Sequence, residues 1–431
     1  MIRGPSRATL TYNRRLKRSI APGFVLSHSD AVFVKARGSY LTDIERRVFI
    51  DATSGGYTAN VGHSHPRIAA AIRSQISKMW GPHPRPQEVH LALAERLKQI
   101  APGRLSAGLV GFCNSGSASI EFSMQTVRAY SGRPFFIAFT GAFHGTSAAA
   151  LSLTTVSSRM RKNLPPHVSN VVFAPYPKSL ASVSTHNSDD GGLDSLDQLR
   201  MILSTTVDPR QVAAIYTEPI QVHGGVIVPP DEYFKKLARL CHEYEILLVD
   251  DEAITGFGRT GKMFASEHWG VTPDVMCLAK PLAAGLPLGA VLGRKHIMRC
   301  YPGGGTFSGS AIAFACAITN IDIICQEHLV VNADRVGTYF MNRLRELSGK
   351  HERIEEVRGR GLLIGVQFRR HHGKPAAKLA RKVARGCFRR GLLLSTTGIN
   401  EDVLRITPPL TFTTALVDRS IDVIDDSMRH S

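Results

Sequence analysis

The fold is decided by residues 246–289, which read ILLVDDEAITGFGRTGKMFASEHWGVTPDVMCLAKPLAAGLPLG. Two apolar runs in this stretch, Ile246–Val249 and Val275–Leu278, have the length and composition of buried strands. An ionisable side chain follows each run, Asp251 after the first and Lys280 after the second. In open α/β sheets, ligands bind beyond the carboxyl ends of the strands. The stretch therefore predicts an α/β sheet with a ligand site at these strand ends.

The same alternation of short apolar runs and helical patterns extends through the middle of the chain. Helical patterns occur at Ser117–Tyr130, Leu193–Thr206 and Asp231–Tyr244, and the last follows two prolines that favour a helix start. Buried strands separated by helices predict a mainly parallel sheet covered on both faces. Five further runs bring the number of predicted strands to seven: Leu109–Cys113, Phe135–Phe139, Val171–Ala174, Val212–Thr217 and Leu288–Leu292.

The two chain ends have a different pattern from the middle. Two long helices are predicted at Ala311–Cys325 and Ala333–Leu347, and a Ser-, Asn- and Asp-rich surface loop at His167–Asp190. The remaining predicted strands are Ala31–Val34, Val48–Asp51, Leu362–Phe368 and Val403–Ile406. We predict a large domain over residues 76–310, and a smaller α+β domain formed by residues 1–75, which include an N-terminal arm, together with residues 311–431.

Composition and charge restrict the class of protein. The chain has 431 residues, of which 43% are hydrophobic and 20% charged, as in ordinary globular enzymes. No stretch is long and apolar enough to predict a membrane-spanning helix. The net charge of +18 could indicate a nucleic-acid partner, but basic runs such as 381–390 are more typical of solvated helix faces. Residues 1–29 lack acids, so a transit peptide stays open beside the favoured interpretation, a basic arm on a cytoplasmic protein.

The seven cysteines do not form a recognisable framework. Their number is odd and no CxxC pair occurs, which argues against disulfides and against a structural metal site and favours a reducing compartment. Cys113 and Cys277 lie within apolar runs, where buried and unreactive thiols are expected.

Three ionisable residues fall at the ends of predicted strands. Glu218 follows Val212–Thr217, and Asp251 and Lys280 follow the two strands described first. Acids at strand ends often only cap the next helix, and a lysine there is usually solvated. Here Lys280 has apolar neighbours, which suggest burial, and burial lowers the pKa of a lysine and makes it a nucleophile. We expect the three side chains to converge on one crevice.

Two loops add possible ligand contacts. The segment Asn114-Ser115-Gly116-Ser117 lies between a strand and a helix, where small residues expose backbone N–H groups to a phosphate, although a simple serine cap explains it equally well. In the segment 141–145, Phe143 and His144 could lie over a planar ligand, although an aromatic residue there more often belongs to the core.

Taken together, residues from about 31 to 428 resemble the class III (ω-amino-acid type) aminotransferases, which have the aspartate-aminotransferase fold, fold type I of the pyridoxal-phosphate enzymes. The order and spacing of several motifs carry the resemblance, and no single motif would. They are Asp51–Pro66 (DATSGGYTANVGHSHP), Gly111–Glu121 (GFCNSGSASIE), Gly141–Gly145 (GAFHG), Glu218–Gly225 (EPIQVHGG), Asp251–Gly261, Asp274–Gly289, Gly304–Gly309 (GGTFSG) and Arg405–Leu410 (RITPPL).

The resemblance implies pyridoxal 5'-phosphate as the cofactor and gives roles to matching residues. Lys280 would hold the cofactor as a Schiff base and move protons, and Asp251 would pair with the pyridine nitrogen. Phe143 would stack on one face of the ring and Ala253 on the other. The remaining cofactor contacts would come from Ser115, Gly116 and Ser117 at the phosphate, from His144 and Glu218, and from Thr306 of the neighbouring subunit, which implies a homodimer.

On the substrate side, the resemblance implies that Arg405 binds a carboxylate, with Tyr57 and His223 nearby. His223 stands where the family usually has a glutamate that screens this arginine, which puts a strict ω-amino preference in question. Ile254 replaces a usual glutamine, and Pro281 a glycine.

The implied activity is transfer of an amino group from an amino acid or amine to a 2-oxo acid, such as 2-oxoglutarate or pyruvate, with ping-pong kinetics. The same fold also supports racemases, epimerases, aminomutases and decarboxylating transaminases, which the motifs do not separate. A basic, non-catalytic nucleic-acid-binding relative is the third hypothesis, and retention of Lys280 and Asp251 argues against it.

Overall fold

A computed structural model of the chain describes residues 5–21, 31–81, 85–162, 170–177, 195–370 and 373–431. Its strands are β1 (Phe33–Arg37), β2 (Tyr40–Asp43), β3 (Val48–Asp51), β4 (Leu109–Cys113), β5 (Phe135–Phe139), β6 (Val171–Ala174), β7 (Val212–Thr217), β8 (Leu247–Asp251), β9 (Val275–Leu278), β10 (Gly289–Gly293), β11 (Ile354–Arg360), β12 (Leu363–Phe368), β13 (Leu392–Leu393), β14 (Ser395–Thr397) and β15 (Val403–Ile406). Its α-helices are α1 (Arg7–Ser19), α2 (Pro66–Lys78), α3 (Glu88–Ile100), α4 (Gly116–Ser131), α5 (Ala148–Ser152), α6 (Ser158–Arg161), α7 (Ser195–Thr205), α8 (Tyr233–Glu243), α9 (Lys295–Met298), α10 (Ala311–Gln326), α11 (Leu329–Lys350), α12 (Ala377–Arg389) and α13 (Thr414–Arg429).

The central sheet has seven strands in the order β4-β10-β9-β8-β7-β5-β6. Strands β5 to β9 run parallel, and β10 is antiparallel to both of its neighbours, β9 and β4. Only residues 279–288 join β9 to β10, and this connection is too short for the helical crossover that parallel strands need. The prediction of a mainly parallel seven-stranded sheet of fold type I is therefore confirmed, with one strand reversed.

Two smaller sheets combine segments from the chain ends. One has the order β1-β2-β3-β13, and in it the C-terminal strand β13 pairs in parallel with β3. The other has the order β11-β12-β15-β14 and is antiparallel. The pairing of β3 with β13 supports a small domain made from both ends of the chain, whose boundaries stay a prediction.

Several predicted boundaries differ from the observed ones. The first strand begins at Phe33 rather than Ala31, and the strand Tyr40–Asp43 was not predicted. The helix expected from Asp231 begins at Tyr233, because residues 231 and 232 form a turn first. Helix α11 extends over Leu329–Lys350, beyond both predicted ends. Of the loop predicted at His167–Asp190, residues 170–177 are described and contain β6, and the rest lies outside the described residues.

The structure can also be compared with the predictions about cysteines, basic helix faces and membrane-spanning helices. All seven cysteines are free thiols, and burial raises the pKa of Cys113 to about 12. On α12, Arg381, Lys382, Arg385 and Arg389 are exposed, as expected of a solvated face. In the described part of the chain, no single helix is long and apolar enough to span a membrane, and only α10 and α11 together meet these criteria, with a bend of 62° between them.

Candidate active site

Most of the predicted cofactor-binding residues line a cavity of about 240 Å³ at the carboxyl ends of β7, β8 and β9. Because these strands are parallel neighbours, the side chains that follow them, Glu218, Asp251 and Lys280, lie at the same edge of the sheet. The other lining residues are Ser115, Gly116, Ser117, Phe143, His144, Gly145, Ala253, Ile254 and Thr255. The expected convergence is confirmed.

Asp251 is fixed by two hydrogen bonds. Its Oδ2 lies 2.8 Å from Nδ1 of His144, and its Oδ1 accepts from the backbone N–H of Ala253 at 3.1 Å. His144 is fully buried, and although burial opposes its protonation, the hydrogen bond and charge of Asp251 raise its pKa. A carboxylate held in this way keeps one orientation and can stabilise a protonated ring nitrogen above it.

The amino end of α4 forms an anion cradle. Ser115 caps the helix through its side chain, which accepts from the N–H of Ala118 at 3.2 Å. Gly116 packs closely, since an added Cβ would lie 3.2 Å from Cβ of Ala279. Gly145 has φ of +135°, and an added Cβ would lie 2.5 Å from Oγ of Ser117, so only glycine fits there. The helix start leaves N–H groups free for a phosphate.

Lys280 occupies the turn that follows β9. Its backbone is held because Nδ2 of Asn320 donates to the carbonyl of Pro281 at 2.8 Å and to that of Leu282 at 3.2 Å. The lysine Nζ lies 5.9 Å from the ring centroids of both Tyr57 and Phe143. Burial lowers the pKa of Lys280, while Asp251 and Glu218 partly oppose that shift. The lysine is thus closer to its neutral, nucleophilic form than a solvated lysine.

Glu218 is a second buried acid in the cavity. Its carboxylate accepts from the N–H of Phe143 at 3.0 Å and from that of Val222 at 3.3 Å. Burial, together with the charge of Asp251, raises the pKa of Glu218 to about 7, against the opposing effect of His144. Glu218 therefore holds the Phe143 backbone in place and changes charge near neutral pH.

Tyr57 is presented by an unusual left-handed turn. Ser54, Gly55, Gly56 and Tyr57 have φ of 44°, 59°, 73° and 73°, a conformation that costs residues other than glycine roughly 1–2 kcal/mol each. The carboxylate of Asp51 supports the turn by accepting from the N–H of Thr53 at 2.8 Å and that of Gly55 at 2.9 Å. The turn buries the ring of Tyr57 beside Lys280.

Arg405 and His223 complete the substrate side predicted for the site. The guanidinium carbon of Arg405 lies 4.6 Å from the Tyr57 ring centroid, and its Nε is buried without a hydrogen-bond partner among the described residues. The ring of His223 lies 4.4 Å from that of Phe143 and 6.1 Å from that of Tyr57. Burial, then the charges of Arg405 and Lys280, hold the pKa of His223 well below its usual range. His223 is therefore a neutral imidazole.

Among the predicted cofactor contacts, Thr306 is the one that is missing from the cavity lining of this chain. It lies on an exposed loop, next to Phe307, whose side chain is 64% exposed. Thr306 is therefore exposed at the surface of its own chain.

Sequence reasoning gave no role to several residues that shape the site. Thr255 and Gly145 line the cavity, and Asp51 and Arg259 support the Tyr57 turn. All of them lie in the motifs quoted above. Their closeness in sequence to Asp251, Tyr57 or His144 was the feature that could have identified them.

Asp250 is a buried acid that does not line the cavity. Both of its carboxylate oxygens are buried and have no hydrogen-bond partner among the described residues. Burial, together with Glu252 and Asp251, raises the pKa of Asp250 well above its ordinary value, and only Ser266 opposes this. The acid therefore keeps its proton to a higher pH than a solvated aspartate does.

We expect an Asp250→Asn variant to be more stable than the parent in alkaline buffer. The folded pKa is raised, so the stability contributed by Asp250 is complete below its unfolded pKa of about 3.9 and declines as pH rises towards the folded value, by roughly 1.4 kcal/mol per pH unit. Denaturant unfolding between pH 5 and 9 should show a stability difference that widens with pH. A difference that is constant with pH would contradict a raised pKa of Asp250.

The fold and site together define a pyridoxal-phosphate-dependent enzyme of fold type I. The model of the family described as aminotransferase class-III matches residues 25–428, and the chain belongs to this family. It is accordingly a pyridoxal-phosphate-dependent aminotransferase.

Individual relatives are similar over almost their whole length. An alanine/serine racemase of Pyrococcus horikoshii is 34% identical, with 96% of this chain and 89% of that protein covered. A 4-aminobutyrate aminotransferase of Mycobacterium leprae is 33% identical, with 97% and 95% covered. An amine transaminase from an uncultivated Pseudomonas species, solved in its pyridoxal-phosphate-bound form, is 28% identical with a TM-score of 0.84, and 96% and 97% of the two chains are covered.

Proposed function

We propose that Lys280 binds pyridoxal phosphate covalently through Nζ and then carries the proton that moves during amino transfer. When bound, the cofactor supplies an electron sink for the carbon that bears the amino group. Asp251 holds a proton on the ring nitrogen, and His144 keeps that carboxylate oriented. Because the pKa of Lys280 is lowered by burial, its amine is available as a base near neutral pH.

In this proposal, the amino end of α4 and the residues that face the ring position the cofactor. The free N–H groups at the start of α4, with Ser115 and Ser117, bind the phosphate. Phe143 and Ala253, which both line the cavity, would contact the cofactor ring and exclude water from it.

The proposed substrates are amino acids and 2-oxo acids whose carboxylate binds Arg405. One observation carries this: Arg405 lies against Tyr57 next to Lys280, and no described acid neutralises it. A partly buried guanidinium without an anion favours a ligand that supplies one, and its fork geometry suits a carboxylate. Because His223 is neutral, it does not compete for Arg405 in either half of the reaction.

The functional unit in this proposal is a cytoplasmic homodimer. Thr306 is exposed on its own chain, and it would reach the phosphate of the neighbouring subunit, with each subunit completing the site of the other.

A donor screen tests the function. Purified enzyme with its cofactor is expected to lose the absorbance of the lysine-bound cofactor when an amino acid donor is added, and to regain it with 2-oxoglutarate or pyruvate. An enzyme that turns over carboxylate-free amines as well as matched amino acids would contradict the role of Arg405.

Racemisation of an amino acid is the second candidate, favoured by the similarity to the alanine/serine racemase. Racemisation needs the same lysine, cofactor and carboxylate contact but no amino acceptor. Chiral analysis of single amino acids incubated without any oxo acid separates the two: inversion without an acceptor would identify a racemase, and dependence on the oxo acid a transaminase.

A further inference from the structure

Arg259 is a fully buried arginine outside the cavity, and its guanidinium donates to four neutral oxygens of the described residues. Its Nη2 donates to Oγ of Ser54 at 3.1 Å and to Oδ1 of Asn60 at 2.6 Å, and its Nη1 donates to the carbonyl of Leu362 at 3.0 Å and also to that of Pro408. Burial lowers its pKa to about 9. Burying a cation whose described partners are neutral oxygens from three separate segments is costly in free energy, which indicates that the arginine has a specific role.

The bonded segments are the ones that carry the substrate-facing side chains. Ser54 begins the left-handed turn that ends at Tyr57, and its hydroxyl, which accepts from Arg259, also donates to the carbonyl of Thr407 at 2.8 Å. Thr407 and Pro408 directly follow β15, which contains Arg405. Arg259 thus holds the turn of Tyr57 and the segment of Arg405 to each other.

Arg259 also ties both segments to the cofactor side of the site. It lies in the loop after β8, the strand that ends with Asp251. Its own carbonyl accepts from the N–H of Leu362 at 3.0 Å, so backbone and side chain bind the same residue. The left-handed conformation of Ser54 and Tyr57 is intrinsically unfavourable and persists only where its surroundings fix it.

We propose that Arg259 is a positioning residue for substrate recognition, which sets the distance between the Tyr57–Arg405 pair and the cofactor-binding lysine. The inference rests on the proposed function, because it takes Arg405 as the carboxylate site. Lysine at this position keeps a charge but has a single nitrogen, which cannot reach all four acceptors in the fork geometry of arginine.

The test compares Arg259→Lys and Ser54→Ala with the parent holoenzyme. Ser54→Ala leaves Arg259 in place and removes its hydrogen bond to the turn, together with the bond from Ser54 to the Thr407 carbonyl, so it keeps the test usable if Arg259→Lys folds poorly. We expect both variants to raise the KM of the amino acid donor about tenfold or more, with kcat and the absorbance of the lysine-bound cofactor changed much less. The loss should be absent for an amine without a carboxylate, and should not add to that of Arg405→Leu.

Arg133→Lys is the matched control. Arg133 also donates to backbone carbonyls, those of Val212 at 3.3 Å and Glu245 at 2.8 Å, but at the opposite end of the sheet. The Arg133→Lys variant should leave the KM of the amino acid donor unchanged. If kcat falls equally for all substrates, and in proportion to the loss of folded protein, Arg259 has only a structural role and the inference is wrong. If the parent enzyme itself transferred no amino group from any amino acid, the proposed function would fail instead.

Discussion

A Lys280→Ala variant is expected to lose activity by a factor of about 10³ or more, while still folding. General acid–base catalysis alone contributes roughly 10²–10⁴-fold, and this variant also loses the covalent link to the cofactor. The fold should survive because neighbouring Leu278 and Leu282 are fully buried and the turn is held by Asn320. Steady-state kinetics and the visible spectrum of the variant, after incubation with pyridoxal phosphate, check this.

Lys262→Ala is a suitable control, since Lys262 is exposed on the loop that follows Asp251 and should keep full activity. Borohydride reduction should attach the cofactor to Lys280 in the parent and to no residue in the Lys280→Ala variant. Full turnover without Lys280, or labelling at another lysine, would refute the proposed catalytic role.

The second large effect is expected at Arg405. An Arg405→Leu variant should lose about 10²–10³-fold in kcat/KM for amino acid donors, because truncating one partner of a desolvated charge pair costs roughly 2–5 kcal/mol. A His223→Glu variant, which keeps Arg405, should lose nearly as much kcat/KM for amino acid donors. The new carboxylate would lie between Phe143 and Tyr57, where the charge of Arg405 acts on His223, and would pair with that arginine.

His223→Gln is the matched control for this second prediction, because it keeps the site neutral. It should retain most of the activity that His223→Glu loses, and the ratio of amino acid to carboxylate-free amine turnover should fall only in the charged variant. Equal effects of Glu and Gln would mean that His223 acts through ring contacts with Phe143 and Tyr57 and not through charge.

The core of the site could be predicted from sequence because it follows from sheet geometry. Apolar runs identify strands, the carboxyl ends of parallel strands meet at one edge, and Glu218, Asp251 and Lys280 stand at those ends. The reversal of β10 was not predicted, although the short connection over residues 279–288 already forbids a crossover helix.

The Tyr57 turn could not be predicted, because nothing local in the sequence favours it at every position. Gly55 and Gly56 accept positive φ readily, but Ser54 and Tyr57 do not. What stabilises them is distant in sequence: Arg259, and the Thr407 carbonyl that accepts from Ser54. An arginine between glycines is usually exposed, so its burial is a result of the tertiary structure alone.

The pairing of β3 with β13, and of the Tyr57 turn with the segment after Arg405, also orders events during biosynthesis. Residues 115–280, which supply most of the cavity lining, leave the ribosome well before residue 405 does. The residues proposed to bind the cofactor are therefore synthesised before Arg405, the residue proposed to bind the substrate carboxylate.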